Sequence, residues 1–373
     1  MDSIRMLSST VTNAYTVRAD QLSPALADEW LSITESAPDC SSPFLHPAYA
    51  QTMANVRAGV EVAVLESDGE AVGFLPFERT AGGIGRSIGG RVCDRSGAVV
   101  RPGVAWNVEE VTKAAGLRIL RLANVVLEEE AFRPYFSTRA LAPYIDLTDG
   151  YDAYRLANIR SGSGTMKRVD RRSRKLESLR GPLRLVWHDT DDRVLDTLLR
   201  WKSEQRRASR SPNVFDLPWA RQLLAWLRLP RTDDFGGVLT ALYAGDTLCA
   251  AHFGIRTRRM LHYWLAAYDE EMGRCSPGLL LLMRMANEAA ARGITRLDLG
   301  PGEEQYKLHI ASGHRDVAMA TVCTGAAVGS LVKAAEGIRI RARQSEALRA
   351  TRRTLVRGAY LVRASLGGGS REG

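Results

Sequence analysis

The residues of this chain best suited to moving protons or holding an anion crowd into one stretch, 250–307. His252 and His262 lie in two short apolar and aromatic runs, 250–256 and 260–266, joined at Thr257-Arg258-Arg259, and so read as neighbours on adjacent strands. A strand histidine is either a satisfied core group or a base. Tyr268 and Asp269 open the next loop, where they shape a pocket or simply make a turn. Ser276-Pro277-Gly278 then starts a long helix: the serine hydroxyl can cap orphan amides, and proline suits a first turn. Free amides at such a start can hold an anion. After that helix stops at Gly293, a buried strand over 295–299 carries Asp298 beside Gly300-Pro301-Gly302, where backbone can approach a ligand. Asp298 can take a proton or anchor that loop. Tyr306 and Lys307 close the stretch; packing and plain exposure are their structural roles. No Ser-His-Asp order and no zinc-ligand spacing competes.

These residues need a strand–helix–strand crossover to bring them together, and ligands of open α/β sheets sit at such edges. A second helix, 191–207, carries Trp201-Lys202 with Glu204 and Gln205 one turn beyond, and would border an acceptor. Around this, 238–243 and 247–256 form a hairpin about Ala244-Gly245-Asp246, with a strand at 183–187 and a helix at 218–227. The first half reads as strand 14–19, helices 25–36 and 47–56, strands 60–65 and 71–77, a third strand after 81–85, helix 108–115 and strand 117–122. The glycines of 81–85 lack a following Lys-Ser/Thr and an opening helix, so they make a hairpin turn rather than a phosphate loop.

The halves repeat. Segments 63–80 and 241–257 share the order strand, Gly/Asp turn, strand, Arg-Thr, and Phe44-Leu45-His46-Pro47 parallels Phe215-Asp216-Leu217-Pro218. Two copies of one α+β unit follow from that common order.

Composition bounds the rest. A chain of 373 residues is long for one core. No run of 18 apolar residues and no leader pattern occurs, so a cytoplasmic protein is expected. Cys40, Cys93, Cys249, Cys275 and Cys323 are scattered without a CxxC pair, so neither a disulfide framework nor a metal site is expected. The net charge of +9 is uneven: 331–373 carries +7 and 160–180 carries +6, which leaves the remainder at −4. Those two basic segments can meet phosphates or an anionic membrane, or be solvated helix faces. The tail spaces Leu348, Leu355 and Val356 along one helical stripe among arginines, which suits weak docking at the inner membrane. Nucleic acid is not expected, since few aromatics interleave.

The wording of the second half is similar to the CelD/BcsL family of GNAT-like acetyltransferases. Trp201-Lys202, Glu204-Gln205, Ala251-His252-Phe253-Gly254, Leu261-His262-Tyr263-Trp264, Ala267-Tyr268-Asp269, Ser276-Pro277-Gly278-Leu279 and Asp298-Leu299-Gly300 with Tyr306-Lys307 carry the resemblance. Phe74-Leu75-Pro76-Phe77 and Cys93-Asp94 extend it into the first half. The resemblance implies an α+β fold of two tandem GNAT-like units, each a mixed sheet flanked by helices. The domains would be 1–150, a basic linker helix at 151–181, the active unit at 182–328, and a basic helical tail at 329–373. It implies transfer of an acyl group from acyl-CoA to an amine or hydroxyl of a sugar-like acceptor in cellulose or exopolysaccharide synthesis. Tandem units also resemble the FemABX transferases, which implies charged tRNA as the alternative donor; a non-catalytic scaffold is a third reading.

By the same resemblance, Tyr306 protonates the departing thiolate and Lys307 meets donor phosphates or developing charge, with Asp298 and His262 beside them. Arg274, Ser276, Gly278, Leu279, Tyr263 and Trp264 would hold the donor, although Arg274 to Gly278 departs from the usual pyrophosphate motif. Lys202, Glu204, Gln205, His252, Tyr268, Asp269 and Asp94 would face the acceptor, Asp94 as a contact from the first half.

Overall fold

The computed structural model describes residues 10–37, 41–208, 213–229, 232–325 and 329. The first half runs β1 (Asn13–Arg18), α1 (Pro24–Ser36), α2 (Pro47–Ala54), β2 (Val60–Ser67), β3 (Glu70–Thr80), β4 (Ile84–Arg86), β5 (Val99–Val100), α3 (Val108–Ala114), β6 (Ile119–Val126) and β7 (Phe136–Asp146). Helices α4 (Gly150–Arg160) and α5 (Thr165–Arg180) lead to the second half. It runs β8 (Leu183–Val186), α6 (Asp192–Ala208), α7 (Pro218–Arg228), β9 (Phe235–Ala244), β10 (Thr247–Thr257), β11 (Met260–Tyr268), α8 (Pro277–Ala291), β12 (Arg296–Asp298), α9 (Gln305–Ile310) and β13 (Gly313–Cys323).

Two local expectations change. The single basic helix expected over 151–181 is two, because Gly162 and Gly164 adopt φ of 75° and 65°, which ends α4 and restarts the chain. Strands β7 and β13 were not anticipated. The basic tail expected over 329–373 lies outside the described residues, residue 329 excepted.

The strands form one sheet in the order β1-β2-β3-β4-β6-β13-β7-β12-β11-β10-β9-β8, with β5 against β3. That order is symmetric about the β13–β7 pair. Hairpin β2–β3 matches β9–β10; α3 crosses between parallel β4 and β6, and α8 between parallel β11 and β12. The tandem α+β fold is therefore present, with a twist in connectivity: each half lends its last strand to the other. β7 pairs antiparallel with β12 through Arg296↔Asp146 and Asp298↔Tyr144, and β13 sits between β6 and β7. Exchange covers an edge in both units that would otherwise expose unpaired backbone.

Cores follow the layers. One cluster runs through both halves, stacking Trp30 on Phe74 at 5.0 Å and joining Phe44 and Leu45 to Phe253 and Leu265. Another packs α8, through Leu282 and Met285, against Ile145 of β7 and Tyr154 of α4.

The site depends on how β11 is treated by its two neighbours. It pairs with β12 over only three positions, Met260↔Arg296 to His262↔Asp298, then runs on to Tyr268 with β10 beside it and that other edge unpaired. Toward β10 its register slips: Phe253 faces Leu265 but Ile255 faces His262, so Tyr263 and Trp264 bulge opposite Gly254.

Candidate active site

Two cavities meet at this strand. One, of about 420 Å³, is lined by Tyr263 and Tyr268 of β11, Gly278 and Leu279 of α8, Gly300 and Tyr306. The other, of about 380 Å³, is lined by Arg91, Val92, Phe215, Leu217 and Leu265. Asp94, Lys202, Arg206 and Trp264 line both. A larger cavity of about 520 Å³ lies at the starts of β11 and β12, among Thr257, Arg259 and Thr295. None of the candidate catalytic, donor or acceptor residues lines it, and reactive groups of parallel strands gather at their carboxyl ends, where the two smaller cavities are.

At the junction, a buried imidazole is held by two carboxylates. His262 Nε2 lies 2.9 Å from Asp94 Oδ2 and Nδ1 lies 3.3 Å from Asp298 Oδ1. Burial alone would lower its pKa, but the hydrogen bonds and charges of Asp298 and Asp94 prevail and raise it to about 9. His262 is thus an imidazolium at neutral pH, donating from both nitrogens. As a base it is already occupied, which corrects the catalytic role expected from its place in the strand. Asp298 resists protonation despite burial, through its bonds to His262 and its 2.7 Å contact with the Gly300 amide. It anchors the loop. Asp94, brought from the first half, is the partner that reaches both cavities. Space is tight here: a Cβ on Gly300 would stand 3.1 Å from Asp94 Oδ2.

His252 is fully buried and fills the bulge rather than a pocket, which corrects its acceptor role. Its ring stacks on Tyr263 at 4.5 Å, and Nε2 accepts the Trp264 amide at 3.3 Å. Burial, with the neighbouring His262 charge, lowers its pKa to about 3, so it stays a neutral acceptor. Gly254 makes room for it, since a Cβ there would stand 2.5 Å from His252 Cε1. Trp264, expected at the donor, lines that cavity and the second one as the wall between them: its indole N–H donates to the Val92 carbonyl at 3.0 Å and its ring meets Phe44 and Phe215 edge-on.

Lys202 Nζ donates to the Ala266 carbonyl at 3.0 Å, on the stretch of β11 that β12 leaves unpaired. Burial, then the charges of Arg206 and Lys307, lower its pKa to about 8. Tyr306 is half-exposed at the cavity; desolvation and the Glu304 carboxylate push its phenol up to about 12, so it carries its proton at neutral pH. Lys307 is buried and turned to the loop, 3.3 Å from the Pro301 carbonyl, 3.5 Å from that of Gly300 and 3.1 Å from Glu304 Oε2.

The start of α8 offers less to an anion than expected. Pro277 has no N–H, and Leu279 and Leu280 both donate to the Ser276 carbonyl, at 3.0 and 3.2 Å. Only Gly278 of that first turn can present an amide. Ser276 sits at φ 50° and makes no side-chain cap; its hydroxyl accepts instead from Arg172 of α5. Arg274 is exposed and lines neither cavity. Glu204 is exposed and Gln205 lies off both cavities, because α6 turns Lys202 and Arg206 toward the cavities and these two away. Asp269 is spent on the turn before α8, accepting the Glu271 amide at 3.0 Å. Arg206 and Arg91 were missed. Helical spacing from Lys202 would have found the first; nothing local marks the second.

Residues 163–308 match the family model of the acetyltransferase (GNAT) domain, so the second half carries a GNAT-type acyltransferase domain. No curated protein matches the chain in sequence. Among solved structures, FemX is similar at 10% identity and TM-score 0.55, over 80% of this chain and 96% of that one. The C-terminal domain of a protein described as a lysylphosphatidylglycerol synthetase, from Agrobacterium fabrum, is similar at 10% identity and TM-score 0.50, over 82% and 93%. A conserved protein of unknown function from Bacteroides thetaiotaomicron is similar at 11% identity and TM-score 0.50, over 79% and 97%. At these identities the likeness is one of fold, and it runs through both halves.

Proposed function

We propose that the chain transfers an acyl group from a CoA thioester to an amine or hydroxyl of a sugar-like acceptor, in cellulose or exopolysaccharide synthesis. The observation that carries the transfer itself is the pair of cavities sharing one wall of Asp94, Lys202, Arg206 and Trp264, which lets a donor and an acceptor meet without leaving the protein. Tyr268, Gly278, Leu279 and Leu282 would hold the thioester arm, with the Gly278 amide and the nearby Arg172 guanidinium toward its phosphates. The acceptor nitrogen attacks the thioester carbonyl carbon from the second cavity. Backbone amides on the unpaired stretch of β11 face the developing oxyanion. The adduct's ammonium gives its proton to Asp94, and the C–S bond breaks as the Tyr306 phenol protonates the thiolate.

Free-thiol release from acetyl-CoA, dependent on an added amino sugar, tests this. Tyr306→Phe is expected to lower kcat by roughly 10²-fold or more with KM little changed. Equal turnover in wild type and variant would remove Tyr306 as the acid; absence of amine-dependent thiol release would remove the CoA reaction. The lone amide at the start of α8 favours one second reading, an aminoacyl-tRNA donor. Transfer from charged tRNA without any CoA dependence would decide for it.

A further inference from the structure

We infer that the outer face of α4 and α5 docks on an anionic lipid bilayer, with the cations of α5 on headgroup phosphates and Leu156, Ile159 and Leu179 entering the interface. Docking of this kind holds whichever donor or acceptor the site takes. Both helices lie on α8. Tyr154 of α4 and Met166 of α5 share a core with Leu282 and Met285, and Leu176 of α5 packs with Leu280 and Leu281. Arg155 of α4 pairs with Asp170 of α5 at 2.7 Å, so the two helices lie side by side and turn their other faces outward together.

On that outward face Lys167, Arg168, Arg171, Arg174 and Lys175 are all exposed. The acids of α5 are engaged by other helices, Asp170 by Arg155 and Glu177 by Arg284 of α8. On α4 the exposed Asp152 and Arg160 cancel. A helix face that meets only water gains from interleaved acids. Here Lys167, Arg171 and Lys175 repeat like charges one turn apart, and no acid stands in the first turn to suit the helix dipole. The face is costly to the helix that carries it, and contact with anions offsets that cost. Lys167, Arg168, Arg171 and Arg174 also border a shallow hollow of about 370 Å³, with room for a headgroup phosphate.

Two observations select a bilayer among polyanions. Leu156, Ile159 and Leu179 are 48%, 42% and 62% exposed on the same two helices as the cations, which suits an interface apolar on one side and charged on the other. Neither tyrosine of α4 is exposed and α5 has no aromatic residue, so a nucleic acid would find phosphate contacts without base stacking. Arg172, on the flank of α5, engages the Ser276 hydroxyl where α8 begins. A docked bilayer therefore lies next to the end of α8 that borders the donor cavity.

The test is co-sedimentation of the full chain with vesicles of phosphatidylcholine, alone or mixed with phosphatidylglycerol, at low and high salt. Binding is expected only with phosphatidylglycerol, and weaker as salt rises. Each cation at an anionic surface strengthens association roughly fivefold, so the triple variant Lys167→Gln, Arg171→Gln, Arg174→Gln is expected to bind at least tenfold more weakly. Leu156→Ser with Ile159→Ser is expected to weaken vesicle binding severalfold and to leave binding to a short DNA duplex unchanged. None of these side chains lines the two joined cavities, so both variants are expected to keep wild-type melting temperature and acetyl-CoA affinity. Equal sedimentation of wild type and triple variant overturns the inference. So does tighter binding to the duplex than to the anionic vesicles, or vesicle binding untouched by the Leu156 and Ile159 changes. A tenfold loss of acetyl-CoA affinity in the triple variant would assign the cations to the donor instead and likewise overturn it.

Discussion

His262 shows how a single residue can be placed correctly from sequence and still be given the wrong task. Its strand and its neighbour His252 are legible from the apolar runs, but the charge state is set by Asp94, 168 positions away, and by Asp298. Nothing in local sequence reports that meeting. The consequence for stability has a definite sign. A folded-state pKa near 9 against an ordinary 6.5 stabilises the fold fully below pH 6.5 and loses that contribution as pH rises toward 9. The two buried neutral histidines act oppositely: His46, near 4, and His252, near 3, lose stability as pH falls below 6.5. Thermal stability is therefore expected to peak near pH 6.5, with roughly 3 kcal/mol from His262 lost by pH 9. In Asp94→Asn the alkaline decline should begin at least about one pH unit earlier, since one of the two stabilising charges is gone. An unchanged alkaline limb in that variant would contradict the clamp, and imidazole NMR shifts read the same titration directly.

At the scale of elements, the strands and helices of the second half were readable because their apolar periods are regular and their ends carry Gly or Pro. What the periods do not contain is the register slip of β11. The slip needs Gly254 opposite Tyr263 and Trp264, and it needs the His252 ring to take the Trp264 amide. Gly254→Ala would drive a Cβ to 2.5 Å from both His252 Cε1 and the His262 carbonyl, so the ring or the strand must move. The expected loss is roughly 1–3 kcal/mol by denaturant unfolding, with a larger loss of acyl transfer than any surface substitution. Wild-type stability and turnover in Gly254→Ala would show that the bulge is incidental. The same scale explains the misplaced α6 and α8 residues. On α6, a turn of 3.6 residues puts Arg206, not Glu204, beside Lys202. At α8, Ser276 enters in a left-handed conformation with its hydroxyl engaged by Arg172, so residue type suggested a cap that geometry does not make.

For the whole molecule, the repeat of 63–80 and 241–257 revealed two units, but not that they trade strands. β7 and β13 lie outside the repeated segments, and their partners are remote in sequence: Asp146 pairs with Arg296 and Ala142 with Arg315. The GNAT domain of residues 163–308 is consequently incomplete alone, lacking β7 beside β12 and Asp94 beside His262. A fragment of residues 163–325 is expected to show no cooperative unfolding by circular dichroism, and to recover it when co-expressed with residues 1–162. Cooperative folding of the fragment by itself would contradict an essential exchange. The central claim, a donor cavity along the stretch of β11 that β12 leaves unpaired and the start of α8, is tested most directly by titrating acetyl-CoA into wild type and Leu279→Trp, which pushes a larger side chain into that cavity. Wild type is expected to bind with a Kd between about 1 μM and 1 mM, the usual range for enzyme substrates, and the variant at least tenfold more weakly. No binding of acetyl-CoA at millimolar concentration, or equal binding by both proteins, would contradict it.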